Sequence, residues 1–247
     1  MWLDPFFSNK VLQDIVATII TLALSLIWLR LIDALAHRGL IEQKLSRKII
    51  HIGTGPLFVL CWNLFSAGPW ARYAAALVPL AITAQFVAVG FGLIKDEAAV
   101  KAMTRHGDPR EILRGPLYYG IVFVVCTVLF WRHSPVGLMA LMVMCGGDGL
   151  ADVVGRQWGK ARLPFNADKS WAGSAAMFAG SFVFGLGILA LFNLLGDFEP
   201  SLNMVRTAGS VAVVSLIATA VESLPLHDID NITITMASIV SGVTKIS

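Results

Sequence analysis

Apolar residues fill this chain in blocks separated by short polar stretches, at about 11–32, 49–65, 72–94, 115–130, 135–157, 173–195, 204–222 and 231–246. A helix needs roughly 20 such residues to cross the hydrocarbon core of a bilayer. The pattern therefore predicts an all-α polytopic membrane protein of about eight transmembrane helices, or seven to nine depending on how the short second, fourth and last blocks are counted. Connections such as Ser66–Ala71 and Trp131–Ser134 imply antiparallel packing of successive helices. The longest polar stretch, 95–114, carries a turn signal at Gly107, Asp108 and Pro109 and leaves room for a short surface helix over Lys95–Arg105. Glycines within Gly180–Gly187 suit close helix contacts in lipid. No linker, soluble appendage or internal repeat interrupts the pattern, so residues 1–247 read as one integral membrane domain.

Composition agrees. The chain is 56% hydrophobic and 14% charged, against about a quarter charged in globular proteins, and its mean hydropathy is +0.73. The net charge of +3 matters less than its distribution. Arg38, Lys44, Arg47 and Lys48 share one polar loop, Lys95, Lys101, Arg105, Arg110 and Arg114 a second, and Arg156, Lys160, Arg162 and Lys169 a third. The alternate connections hold only Arg72, Arg132 and Arg206. Basic loops stay on the cytoplasmic side, so these three are expected there, loop 223–230 joins them by parity, and both termini fall on the opposite face. Membrane lipid is the expected surrounding, and nucleic acid is not an expected partner. Met1–Lys10 is not a basic signal-peptide start, and no Arg- and Ser-rich transit peptide is seen, which fits a bacterial plasma or thylakoid membrane or a processed plastid protein. Cys61, Cys126 and Cys145 sit in separate apolar blocks without metal-ligand spacing and read as packing residues.

Chemistry concentrates in the 27 residues from Asp148 to Ser174, DGLADVVGRQWGKARLPFNADKSWAGS. Carboxylates at membrane depth are costly and functional by default. Asp148 and Asp152 lie four apart and share one helix face, with Asp148 roughly 15 Å below Trp158 along the helix. Two carboxylates so placed repel unless a cation or proton lies between them. Oxygen ligands favour Mg²⁺, which takes one or two carboxylates plus substrate phosphates. A polar helix–helix contact or a proton relay is the plainer reading of the pair. Gly155, Arg156, Gly159 and Lys160 follow, pairing close backbone approach with phosphate-binding donors, although the same cations would also serve an ordinary cytoplasmic loop. Lys169 and Ser170 precede the sixth block, where Ser170 is a candidate N-cap and the helix start, with Gly173 and Ser174, a candidate anion site. No Walker A loop is present. Glu222 opens a second acidic cluster, with Asp228, Asp230 and Asn231, able to ligate a metal, orient a nucleophile or form a solvated turn. Arg47, Lys48 and His51 begin the second block, and His51 is suited to phosphate contact, proton transfer or a structural role.

Three segments carry a resemblance: RKIIHIG at Arg47–Gly53, GDGLADVVGRQWGKARLPFNADKSWAGS at Gly147–Ser174, and ESLPLHDIDNITI at Glu222–Ile234. In this order the chain resembles the phytol kinase and dolichol kinase family, related to phosphatidate cytidylyltransferases, with the nearest likeness to short bacterial and plastid phytol kinases. The resemblance implies Mg²⁺-dependent transfer of the γ-phosphoryl group of CTP, or UTP, to a prenyl alcohol such as phytol, geranylgeraniol or farnesol, on the cytoplasmic face. It assigns Asp148 and Asp152 to the metal–triphosphate. Arg156, Lys160 and Lys169 would hold phosphates, assisted by Ser170, Gly173 and Ser174 and by Arg47, Lys48 and His51. Asp228 or Asp230 would serve as base or second metal ligand, supported by Asn231, with Glu222 a further candidate. The rivals are a cytidylyltransferase making a CDP-lipid, a prenyl-phosphate kinase, and an ion-coupled carrier that uses the intramembrane acids without nucleotide.

Overall fold

A computed structural model describes residues 2–104, 106–226 and 229–246 and is an all-α polytopic membrane protein with one small hairpin. Each predicted block is a helix: α1 (Lys10–His37), α2 (Gln43–Cys61), α3 (Ala71–Gly90), α5 (Gly115–Phe130), the continuous run α6 (Pro135–Met142), a π-helical turn (Val143–Asp148) and α7 (Gly149–Trp158), then α8 (Trp171–Leu194), α9 (Met204–Glu222) and α10 (Asp230–Lys245). The surface helix expected in the long polar stretch is α4 (Glu97–Met103), capped by the Asp96 side chain. Among the described residues, six helices are long and apolar enough to cross a membrane. α2 and α10 are not among them: the first turns of α2 carry Gln43, Lys44, Arg47 and Lys48, and α10 is only 16 residues long.

The chain forms two compact units, one of residues 1–50 and 57–129, the other of residues 51–56 and 130–247. In the first, α1 packs on α3 with its polarity reversed. Ile15, Ile19, Ile27 and Leu31 face outward, while Gln13, Asp14, Thr21 and Ser25 are buried. Lipid tolerates the apolar side, and the inward polar groups must find partners within the protein. Asp14 accepts from the Ser66 amide at 2.8 Å and the Ser66 hydroxyl at 3.1 Å, and Gln13 donates to Asp4 at 2.8 Å and to the Leu64 carbonyl at 3.2 Å.

In the second unit the α6–π–α7 helix is the most deeply buried of the six membrane-crossing helices. α8 packs along it, α9 on α8, and α10 on both α9 and α6. Gly173 of α8 permits the α7 contact: a Cβ there would meet the Ala151 carbonyl oxygen at 3.1 Å and Gly155 Cα at 3.4 Å. Polar side chains are engaged here too, as where the fully buried Arg132 lies 3.8 Å from the Asp197 carboxylate.

The hairpin was not expected. β1 (Arg162–Leu163) and β2 (Asn166–Ser170) pair antiparallel, and β2 runs directly into α8. Buried Asn166 accepts from the Asp168 amide and donates to the Ser223 carbonyl at 3.0 Å, just past the end of α9.

Candidate functional site

The site lies within the second unit and begins with the way α8 starts. Ser170 has extended backbone and its hydroxyl accepts from the Gly173 amide at 3.1 Å, so it is the N-cap. The Trp171 amide donates to the Ala161 carbonyl at 3.1 Å. Two of the first three amides of α8 are therefore spent inside the protein, which leaves less anion-binding capacity than a bare helix start would offer. The neighbouring cation is Lys169.

β2 carries that cation. The Lys169 ammonium donates to Glu222 Oε1 at the end of α9 and lies 3.3 Å from Asp230 Oδ2 at the start of α10. Burial disfavours a charged ammonium, yet the Glu222 carboxylate, by charge and hydrogen bond, and the charges of Asp230 and Asp148 more than offset it. The pKa of Lys169 consequently stands above the ordinary lysine value, and the group remains a cation. Glu222 is only 4% exposed, and its second oxygen, Oε2, is shielded from solvent with no hydrogen-bond partner among the described residues. Ser174 Oγ is shielded and unpartnered in the same way, one turn into α8.

The π-helical turn ends at Asp148. Such turns widen the helix and free carbonyls from the regular ladder. His51 Nε2 uses both consequences, lying 3.1 Å from the Met144 carbonyl oxygen and 3.3 Å from Asp148 Oδ2. Both neighbours are acceptors, so Nε2 carries a proton. One turn later Arg156 forks onto Asp152, with Nε at 3.0 Å and Nη2 at 2.8 Å from Oδ1. Thus Asp152 and Arg156, assigned from sequence to metal and to phosphate, are joined to each other.

Lys160 is exposed at the base of the hairpin, and Asn231 follows Asp230 in the first turn of α10. Arg47 and Lys48 belong to the first unit, on the turn of α2 before His51. Asp228 lies outside the described residues. Glu222 carries little local sequence signal, because its partner Lys169 lies 53 positions away in the chain.

Among the described residues no group of three His, Cys, Asp or Glu is gathered closely enough to hold a metal ion. Asp148 and Asp230 are hard oxygen donors, and the charge of each acts on Lys169. Such a set suits a magnesium ion that arrives with a nucleotide and takes one or two protein carboxylates. It does not make a closed three-ligand cage.

No family profile and no solved structure matches the chain. It is similar to a probable chloroplastic phytol kinase 1 of Oryza sativa subsp. japonica, 45% identical over 233 residues, covering 94% of this chain and 74% of the relative. The chloroplastic phytol kinase 1 of Arabidopsis thaliana is 41% identical, with 95% and 77% covered. The chloroplastic farnesol kinase of the same plant is 38% identical, with 96% and 77% covered. All three are chloroplastic plant proteins, the plastid side of the expected likeness. At this identity, over nearly the whole chain, the protein belongs to the phytol and polyprenol kinase family.

Proposed function

We propose that the protein is a membrane prenol kinase that transfers the γ-phosphoryl group of CTP, or UTP, to the hydroxyl of a prenyl alcohol, giving a prenyl monophosphate and the nucleoside diphosphate. The observation that carries this reading is the Lys169 ammonium, held by Glu222 and Asp230 where a polar hairpin meets two membrane helices. Relatives named for phytol and farnesol support the acceptor class.

Phosphoryl transfer asks a protein chiefly to position two substrates and offset charge. Lys169, kept protonated by its carboxylate neighbours, is the point charge for the transferred phosphoryl group. Arg156 and Lys160, at the end of α7 and the base of the hairpin, bind the remaining phosphates, and the shielded Ser174 hydroxyl donates to one of them. Asp148, with Asp152, Asp230 and Asn231, would hold magnesium, which when bound offsets phosphate charge. His51 keeps Asp148 oriented through the hydrogen bond it shares with the Met144 carbonyl. With the basic loops taken as cytoplasmic, this face would be the cytoplasmic one, or its counterpart in a plastid. The nucleotide arrives from water there, and the alcohol arrives from lipid with its hydroxyl near the surface.

Purified protein with Mg²⁺ and phytol, given γ-labelled or α-labelled CTP in parallel, tests the reading. Label entering lipid only from the γ position supports it. Label from the α position would make the protein a cytidylyltransferase, and faster transfer to prenyl monophosphate would make it a prenyl-phosphate kinase.

A further inference from the structure

We propose that Glu222 receives the acceptor alcohol: its Oε2 accepts the hydrogen bond of the prenyl hydroxyl and then takes its proton. The inference rests on the prenol kinase reading and adds to it the residue that activates the nucleophile.

Three observations carry it. Glu222 is buried and one of its two oxygens has no hydrogen-bond donor among the described residues. Leaving a buried acceptor unsatisfied is costly, more so when the group is charged, and sites retain such a group where a ligand supplies the missing donor. Second, Oε1 is engaged by Lys169, so the carboxylate is held in place and Oε2 is the oxygen left for a ligand. Third, Glu222 is the last residue of a membrane-crossing helix, and the exposed apolar side chains of Leu224 and Ile229 follow in the adjoining loop. An apolar alcohol arriving from lipid therefore meets this carboxylate at the membrane end of the site. Asp230, by contrast, is 28% exposed and its Oδ2 already faces Lys169.

The step balances without further reagents. The hydroxyl O–H bond breaks and its proton passes to Glu222 Oε2. The oxygen lone pair forms the new bond to the γ-phosphorus. The bond from that phosphorus to the bridging oxygen breaks, and its electron pair leaves on the nucleoside diphosphate.

The test uses the full chain in detergent with phytol and γ-labelled CTP, and measures nucleotide affinity separately by equilibrium binding. In Glu222→Gln the amide oxygen can still accept from Lys169, but an NH₂ donor replaces the free acceptor. Turnover is expected to fall by about 10²–10⁴-fold, the range for a lost general base, with nucleotide affinity within about twofold of the wild type. Glu222→Asp keeps the charge and withdraws the oxygen by one methylene, so it should lose turnover with nucleotide affinity retained. If both variants turn over within about tenfold of the wild type, or both lose nucleotide affinity as Lys169→Gln does, the proposal is overturned and Glu222 only holds the lysine. A wild type that moves no γ-label to any prenol would instead overturn the kinase reading itself.

Discussion

His51 Nε2 stands 3.3 Å from Asp148 Oδ2 and 3.1 Å from the Met144 carbonyl oxygen, and so joins α2 residue 51 to the second and the last residue of the π-helical stretch that precedes α7. A hydrogen bond to a charged group contributes about 1.5–3 kcal/mol. His51→Ala should lower kcat/KM by about 10–100-fold, and His51→Gln, which keeps a donor, should recover part of that loss. Steady-state kinetics with both variants checks the order.

Lys169 offsets two carboxylates, and removing it leaves them facing each other in a partly buried setting. Lys169→Met is expected to lower the thermal unfolding midpoint in detergent, corresponding to a loss of about 1–3 kcal/mol. Adding Glu222→Gln to that variant should recover part of the loss, since the uncompensated charge goes with it. A double variant as unstable as the sum of the two singles would show that the pair is not coupled.

The pH dependence of that contribution follows from its sign. The folded-state pKa of Lys169 is raised above the ordinary 10.5. Its stabilisation is thus fully present below about 10.5 and is lost as pH rises through the higher folded value. Unfolding midpoints of wild type and Lys169→Gln should differ by a constant amount from neutral pH to about 10, then converge at more alkaline pH.

The Arg156–Asp152 bridge behaves differently. Arg156 is 43% exposed and the pair is spaced four residues apart on a helix, a class of interaction that contributes about 0.3–0.5 kcal/mol. Arg156→Ala should barely move the unfolding midpoint while raising the KM for nucleotide severalfold. A large stability loss with unchanged KM would make Arg156 structural.

Two glycines give a packing test. A Cβ on Gly173 would sit 3.1 Å from the Ala151 carbonyl oxygen, whereas one on Gly187 meets nothing within 4 Å. Gly173→Ala should destabilise by about 1–3 kcal/mol as α7 and α8 are pushed apart. Gly187→Ala should be neutral or stabilising by up to about 1 kcal/mol, because alanine is the better helix former.

What could be read from sequence was local. Hydropathy blocks located the helices within a few residues, apart from the early start of α2, where Gln43 to Lys48 are helical although polar. The Ser170 cap and the surface helix α4 also followed from neighbouring residues. The hairpin escaped because two paired residues in β1 give no alternation to detect. The π-helical turn escaped because Cys145, Gly146 and Gly147 fit an ordinary helix equally well by composition. Pairing of Lys169 with Glu222 is a tertiary event, and no local pattern encodes it.

Asn166, three residues before Lys169, reaches across 57 positions to the Ser223 carbonyl, one residue beyond Glu222. This neutral latch ties the hairpin to the end of α9 by a bond that carries no charge. The spacing between the lysine and its carboxylate is thereby set mechanically, and neither added salt nor the arrival of a polyanion has to preserve it. In the proposed reaction the ammonium would exchange a carboxylate for a phosphate and return, with the backbone on both sides kept in register by this bond.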